Sequence, residues 1–170
     1  MSRASMLLLG AVLWSSTAAA APYPKWYRKP PAMCGVGSAP IGPGGMEMAK
    51  VSADNMARTD LARQVQTRVQ AMVKDYGAQF MKDGEGDGEL AVTSVARNIT
   101  DLSLTGGRSM RNEPKKDTMY VLVCLQRARF KKALDGIPAL DRAMRQAVDE
   151  RVDEAFDEME AKLKKYKIDP

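Results

Sequence analysis

The chain of 170 residues contains no histidine and only two cysteines. Without an imidazole, no side chain titrates near neutrality at its ordinary value, so serine or cysteine triads built on a histidine base are excluded. Cys34 and Cys124 are far too distant in sequence for a CxxC redox pair. With no histidine beside them, they cannot complete a zinc set either. Long apolar runs are also missing: the stretch from Met6 to Trp14 is far short of the roughly 20 residues that a bilayer-spanning helix needs. The formal net charge of +5 is a mild excess, and a nucleic-acid binder would concentrate its basic residues more strongly. Nucleic acid is therefore not an expected partner.

What the opening does contain is Arg3, the short apolar run and then Ala18-Ala19-Ala20, the order of a secretory signal peptide over residues 1–20. This predicts export to the periplasm or the medium. No cysteine stands at the cleavage point, so a lipid anchor is not expected. Loss of Arg3 with the leader takes one positive charge from +5 and leaves +4. In an exported chain Cys34 and Cys124 have two readings, a disulfide or two buried thiols in neighbouring strands, and the oxidising compartment favours the disulfide.

Residues 21–32 carry Pro22, Pro24, Pro30 and Pro31 among basic and aromatic side chains, which predicts an extended arm pinned by Trp26 and Tyr27. Residues 33–170 read as a single domain. A short apolar run over 33–38 predicts a buried strand, and Pro40 to Gly45 breaks it. From Met46 to Phe80 the apolar residues recur by threes and fours, including Ala49, Ala53, Ala57, Leu61, Val65 and Val69, so one long amphipathic helix is expected. The glycine-rich turn over 83–88 ends it. Beyond that turn, residues 90–104 suggest β structure with a change of phase, 108–116 a loop or wide hairpin tip, and 118–126 the clearest strand in the chain. A last helix is predicted over 138–166, with cations gathered at the negative end of its dipole. The order β-α-β-β-α implies an α+β fold, a small antiparallel sheet of about three strands with two long helices packed on it.

Four constellations are candidates for chemistry. The Gly35-Val36-Gly37 pair lacks the third glycine and the following helix start of a dinucleotide fingerprint, and Pro40 occupies the sixth position, so the glycines read as structural. Asp83, Glu85 and Asp87 hold positions 1, 3 and 5 of a calcium loop, but Ser94 stands where the bidentate glutamate belongs. A plain acidic turn is the first reading there and a calcium-responsive module the alternative; no other cofactor is implied. The acids between Asp149 and Glu158 fall at helical spacing, where a solvated face is commoner than a hydrolase pair. Arg108, Arg111, Lys115 and Lys116 crowd one loop and, with Arg127, Arg129, Lys131 and Lys132, suggest a basic patch for an anionic surface or an acidic partner.

Taken in order, PKWYRKPP, CGVGSA, ARTDLARQVQTRVQ and MYVLVCLQRARFKKAL, spanning about residues 24–135, resemble the LPP-twenty lipoprotein family of small bacterial envelope proteins. The resemblance implies an α+β fold of the kind also found in a flagellar-associated periplasmic protein and a secreted inducer of inflammation. It implies an envelope location and no catalytic residues. This chain departs from the pattern in lacking a lipidation cysteine. The expectation is a non-enzymatic exported module that binds envelope proteins or an anionic envelope surface through an exposed helix face, the loop of Arg108 to Lys116, or the Trp26-Tyr27 arm.

Overall fold

The computed structural model describes residues 23–80, 101, 106–136 and 142–169. The leader expected over 1–20 lies outside them, as does most of the β stretch expected over 90–104; Asp101, the one residue of that stretch described, is helical.

Three antiparallel strands form the sheet, β1 (Cys34–Pro40), β2 (Gly107–Lys115) and β3 (Thr118–Leu125), in the spatial order β1-β3-β2. β3 takes the centre because its branched apolar residues can be covered on both faces, and Val121 to Leu125 are all buried. β2 takes the place of the loop or wide hairpin tip expected over 108–116 and makes the segment one arm of a tight hairpin. Its side chains are nearly all exposed or half-buried, so it shows none of the apolar alternation that marks a strand, and its Pro114 is tolerated at a sheet edge. A two-residue connection with Lys116 at φ 54° joins β2 to β3, the positive φ that tight hairpins demand.

The expected long helix is present as α2 (Gly45–Phe80). Its buried stripe of Ala49, Ala53, Ala57, Leu61, Val65 and Val69 advances by four residues at a time. Two strand glycines lie directly beneath it. A Cβ at Gly35 would come within 3.0 Å of the Ala57 carbonyl oxygen and the Leu61 nitrogen. One at Gly37 would meet the Ala53 carbonyl and the Ala57 nitrogen just as closely. The Gly-x-Gly of the sequence is therefore a helix–strand contact in which backbone lies on backbone.

The disulfide expected between Cys34 and Cys124 is formed, with Cα atoms 4.0 Å apart and 90 residues between them in sequence. The two residues are direct partners in the β1–β3 register. Leu125 N–H donates to the Met33 carbonyl, so the ladder alternation makes Cys34 and Cys124 a non-hydrogen-bonded pair, where side chains stand closest. In the chain-entropy account a loop of this length contributes roughly 4–5 kcal/mol.

Two further helices follow the sheet. The helix expected over 138–166 is described from Arg142 to Lys165 (α4), and a separate helix, α3 (Arg127–Asp135), precedes it. α3 was not legible because only Phe130 and Leu134 among its nine residues are buried. α4 ends as its charge order suggested, with Lys162, Lys164 and Lys165 in the last turn. Lys167 at φ 56° and the Ile168 N–H to Leu163 carbonyl bond close it.

The arm also differs from the extended form expected. Lys25–Arg28 make one helical turn, α1, capped by Pro24, because a proline just before a first turn and another soon after a last one interrupt neither.

Replacing Gly37 by alanine forces a methyl group into the α2 backbone, and urea denaturation is expected to show a loss at or above the upper end of about 1–3 kcal/mol. Gly42→Ala, where a Cβ meets nothing within 4 Å, should stay within about 0.5 kcal/mol of the parent.

Candidate functional site

α2 lies directly over β1, one of the two edge strands, and its flank overhangs the free side. Val36 N–H points to that side and donates to Asp60 Oδ2 at 3.1 Å. Asp60 is held in turn by Gln64 Nε2 at 2.6 Å and by an Arg63 guanidinium nitrogen at 2.8 Å. The result is a groove of about 610 Å³ between strand edge and helix, with Tyr27, Ser38, Asn55, Met56 and Asp60 among its walls. Arg63 links it to a second hollow of about 540 Å³ bordered by Met33, Gln64 and Arg68. Met56 is 54% exposed, and Met46, Met48 and Val51 add apolar surface earlier on the same helix.

The opposite face of the sheet is where the arm docks. Trp26 is 4% exposed and its Nε1 donates to Glu113 Oε2 at 3.3 Å. Tyr27 packs edge-on to Tyr120, with ring centroids 4.8 Å apart, and its hydroxyl lies 3.0 Å from Ser38 Oγ. Tyr166 at the end of α4 donates to the Lys29 carbonyl at 2.9 Å. Trp26 thus belongs to the core and is not offered to a partner, whereas Tyr27 keeps one side on the groove.

The four basic residues expected to share a loop sit instead on β2 and its turn. A register shift between Ser109 and Arg111 sets Arg108 opposite Cys124, Arg111 opposite Leu122, and Lys115 opposite Thr118. The bulge therefore turns Arg108 and Arg111 to the same face as Glu113. Arg111 lies 3.9 Å from Glu113, and Lys115 Nζ donates to the Tyr23 carbonyl at 3.3 Å. Part of this basic set clamps the arm.

Arg127 and Lys131 on α3 are likewise engaged. Arg127 bonds Asp153, Asp157 and Glu160 on α4 and stacks 5.4 Å from the Phe156 ring centroid. Lys131 bridges Asp149 and Asp153 at 3.2 and 2.8 Å. Of the acids that sequence spacing placed on a solvated face, Asp149, Asp153 and Asp157 are partners of α3, whereas Glu150 accepts from Gln146 and Glu158 pairs with Lys162 within α4. Hydrogen bonding to Asp157 raises the Arg127 pKa, bonding to Asp153 raises that of Lys131, and bonding to Lys131 holds Asp153 below the ordinary carboxylate value.

Asp83, Glu85 and Asp87 lie outside the described residues. Among the described residues no cluster of acids, cysteines or histidines could hold a metal ion, and no helix is long and apolar enough to cross a membrane. Sequence reasoning missed Asp60, one charged residue among many on the long helix. Its only signals are its position beside Leu61 in the buried stripe and the Arg63 and Gln64 that follow it at helical spacing. No protein-family model and no curated protein matches the chain.

A depressed carboxylate stabilises the fold above its unfolded pKa and is lost as pH falls through the folded one. Thermal melting from about pH 7 to about pH 3 should accordingly show the Asp153 contribution waning only below about pH 4. Asp153→Asn should flatten that acid limb. The raised values of Arg127 and Lys131 act only in strong alkali, so neither should bend the curve near neutrality.

Proposed function

We propose that the chain is a non-enzymatic binding or assembly module of the bacterial cell envelope, akin to the LPP-twenty lipoproteins in its sequence motifs. The observation that carries this reading is the groove along β1, where a sheet edge, an exposed methionine and two arginines lie side by side. Such a surface suits recognition of a polypeptide better than turnover of a small molecule. Two features support the compartment. Residues 1–20 have the order of a leader, and the Cys34–Cys124 bridge is the kind that persists outside the reducing cytosol. Arg108 and Arg111, exposed on β2, offer a second contact for anionic envelope material.

Tagging the C-terminus, cross-linking in the native cell and identifying the products by mass spectrometry tests this reading. The expected result is a mature chain starting after Ala20, recovered from periplasmic or membrane fractions with one reproducible envelope component. An uncleaved chain in the cytosol, or a monomer under conditions that trap known envelope complexes, would contradict it.

A further inference from the structure

We propose that the outer edge of β1 is a strand-addition site for an extended, acidic peptide segment of a partner protein. The proposal names the partner chemistry of the binding module argued above and rests on that reading. Leu125 N–H donates to the Met33 carbonyl and Ile41 N–H to the Asp117 carbonyl, so the odd-numbered residues between them turn their polar backbone groups toward β3. Cys34, Val36 and Ser38 consequently turn theirs outward, and the bond from Val36 N–H to Asp60 has that direction. Among the described residues no strand pairs with that side. An added strand would gain a ladder from Cys34 to Ser38 and stop at Pro40, which has no N–H.

The occupant follows from sterics and charge. A second copy pairing antiparallel through the same edge would set its own α2 on the same face. Each α2 lies over its β1 within backbone contact, and paired strands are about 4.8 Å apart whereas packed helices need about 8–10 Å. The two helices would collide; a lone extended segment has no helix to place. Among the described residues Asp60 is the acid that lines the groove, and Val36 N–H, Arg63 and Gln64 already engage its carboxylate. Arg63 is 75% exposed and Arg68 is exposed beyond it, which leaves the groove attractive to carboxylates. Met56 and Tyr27 provide apolar contact for alternate side chains. The peptide carbonyl would take Val36 N–H from Asp60. Until then Asp60 blunts the edge against indiscriminate pairing.

The test uses the full oxidised chain and a fluorescein-labelled peptide of alternating glutamate and valine, with a lysine-for-glutamate peptide as comparison. Fluorescence anisotropy should show binding of the glutamate peptide, and weakening by about tenfold or more for the lysine peptide and for Arg63→Glu. Ser38→Pro, which deletes an outward N–H and spares the bonds to β3, should weaken it similarly. Arg63 is exposed enough that its variant folds whatever becomes of Ser38→Pro. In hydrogen exchange, the Ser38 amide should exchange fast in the free chain and slow when the peptide is added. Equal binding of both peptides, no binding, or undiminished binding by Arg63→Glu would overturn the proposal. Protection of Ser38 without peptide would also overturn it, meaning that the chain itself covers the edge if independent of concentration and that a second copy does if concentration-dependent. Failure here alongside successful capture of an envelope component in cells would remove this surface and leave the binding module standing.

Discussion

The contact between the β1 backbone at Gly35 and Gly37 and the α2 backbone at Ala53, Ala57 and Leu61 is the constraint on which the rest of the structure depends. Helix and strand ordinarily meet through side chains. Here the strand has none at the two contact points, and the helix presents alanines, so the axis of α2 settles directly over an edge strand instead of over the middle of the sheet. That position leaves the flank of the helix hanging beyond the sheet, and Asp60 on that flank can then reach the outward N–H of Val36. A bulky residue at either glycine would lift the helix and withdraw Asp60 from the strand together.

Other elements hold this arrangement in place from the side away from α2. The Cys34–Cys124 bridge ties β1 to the central strand at one end of their register. Near the other end Tyr27 reaches Ser38 and Tyr120. The arm that carries Tyr27 is itself fixed by Trp26 on Glu113, by Lys115 on Tyr23, and by Tyr166 on Lys29. The neutral bond from Tyr166 is modest, about 0.5–1.5 kcal/mol, and the other two each carry one charged partner, Glu113 or Lys115, at a part-buried position. Their partners come from β2 and the end of α4, so the arm joins parts of the chain that are distant in sequence. The ion network of Arg127 and Lys131 does the corresponding work between α3 and α4, at a half-exposed surface where each pair contributes little alone.

How far the sequence discloses this depends on where the information resides. Strand β3 is legible because its own residues are apolar and branched, and α2 because its stripe repeats over many turns. The order of the strands that brings Cys34 to Cys124 is legible only as a choice between two states of the thiols. β2 is hidden because an exposed edge strand with a bulge and a proline has the composition of a loop. α3 is hidden for a similar reason, with two buried residues in nine, and α1 because prolines on both sides of Lys25–Arg28 mask a single turn. The groove is the least legible feature. Asp60, Arg63 and Gln64 look like any charged helix face until the two glycines opposite are known to bring that face against a strand edge.

Native-state hydrogen exchange at increasing urea tests the central claim most directly. If the glycine contact organises the fold, the amides from Ala57 to Leu61 should exchange only through global unfolding, with the same free energy and denaturant slope as those of Leu122 and Val123 in β3. Exchange of the α2 amides through a smaller, separate opening while β3 stays protected would show that the sheet stands without the helix, and would contradict the account.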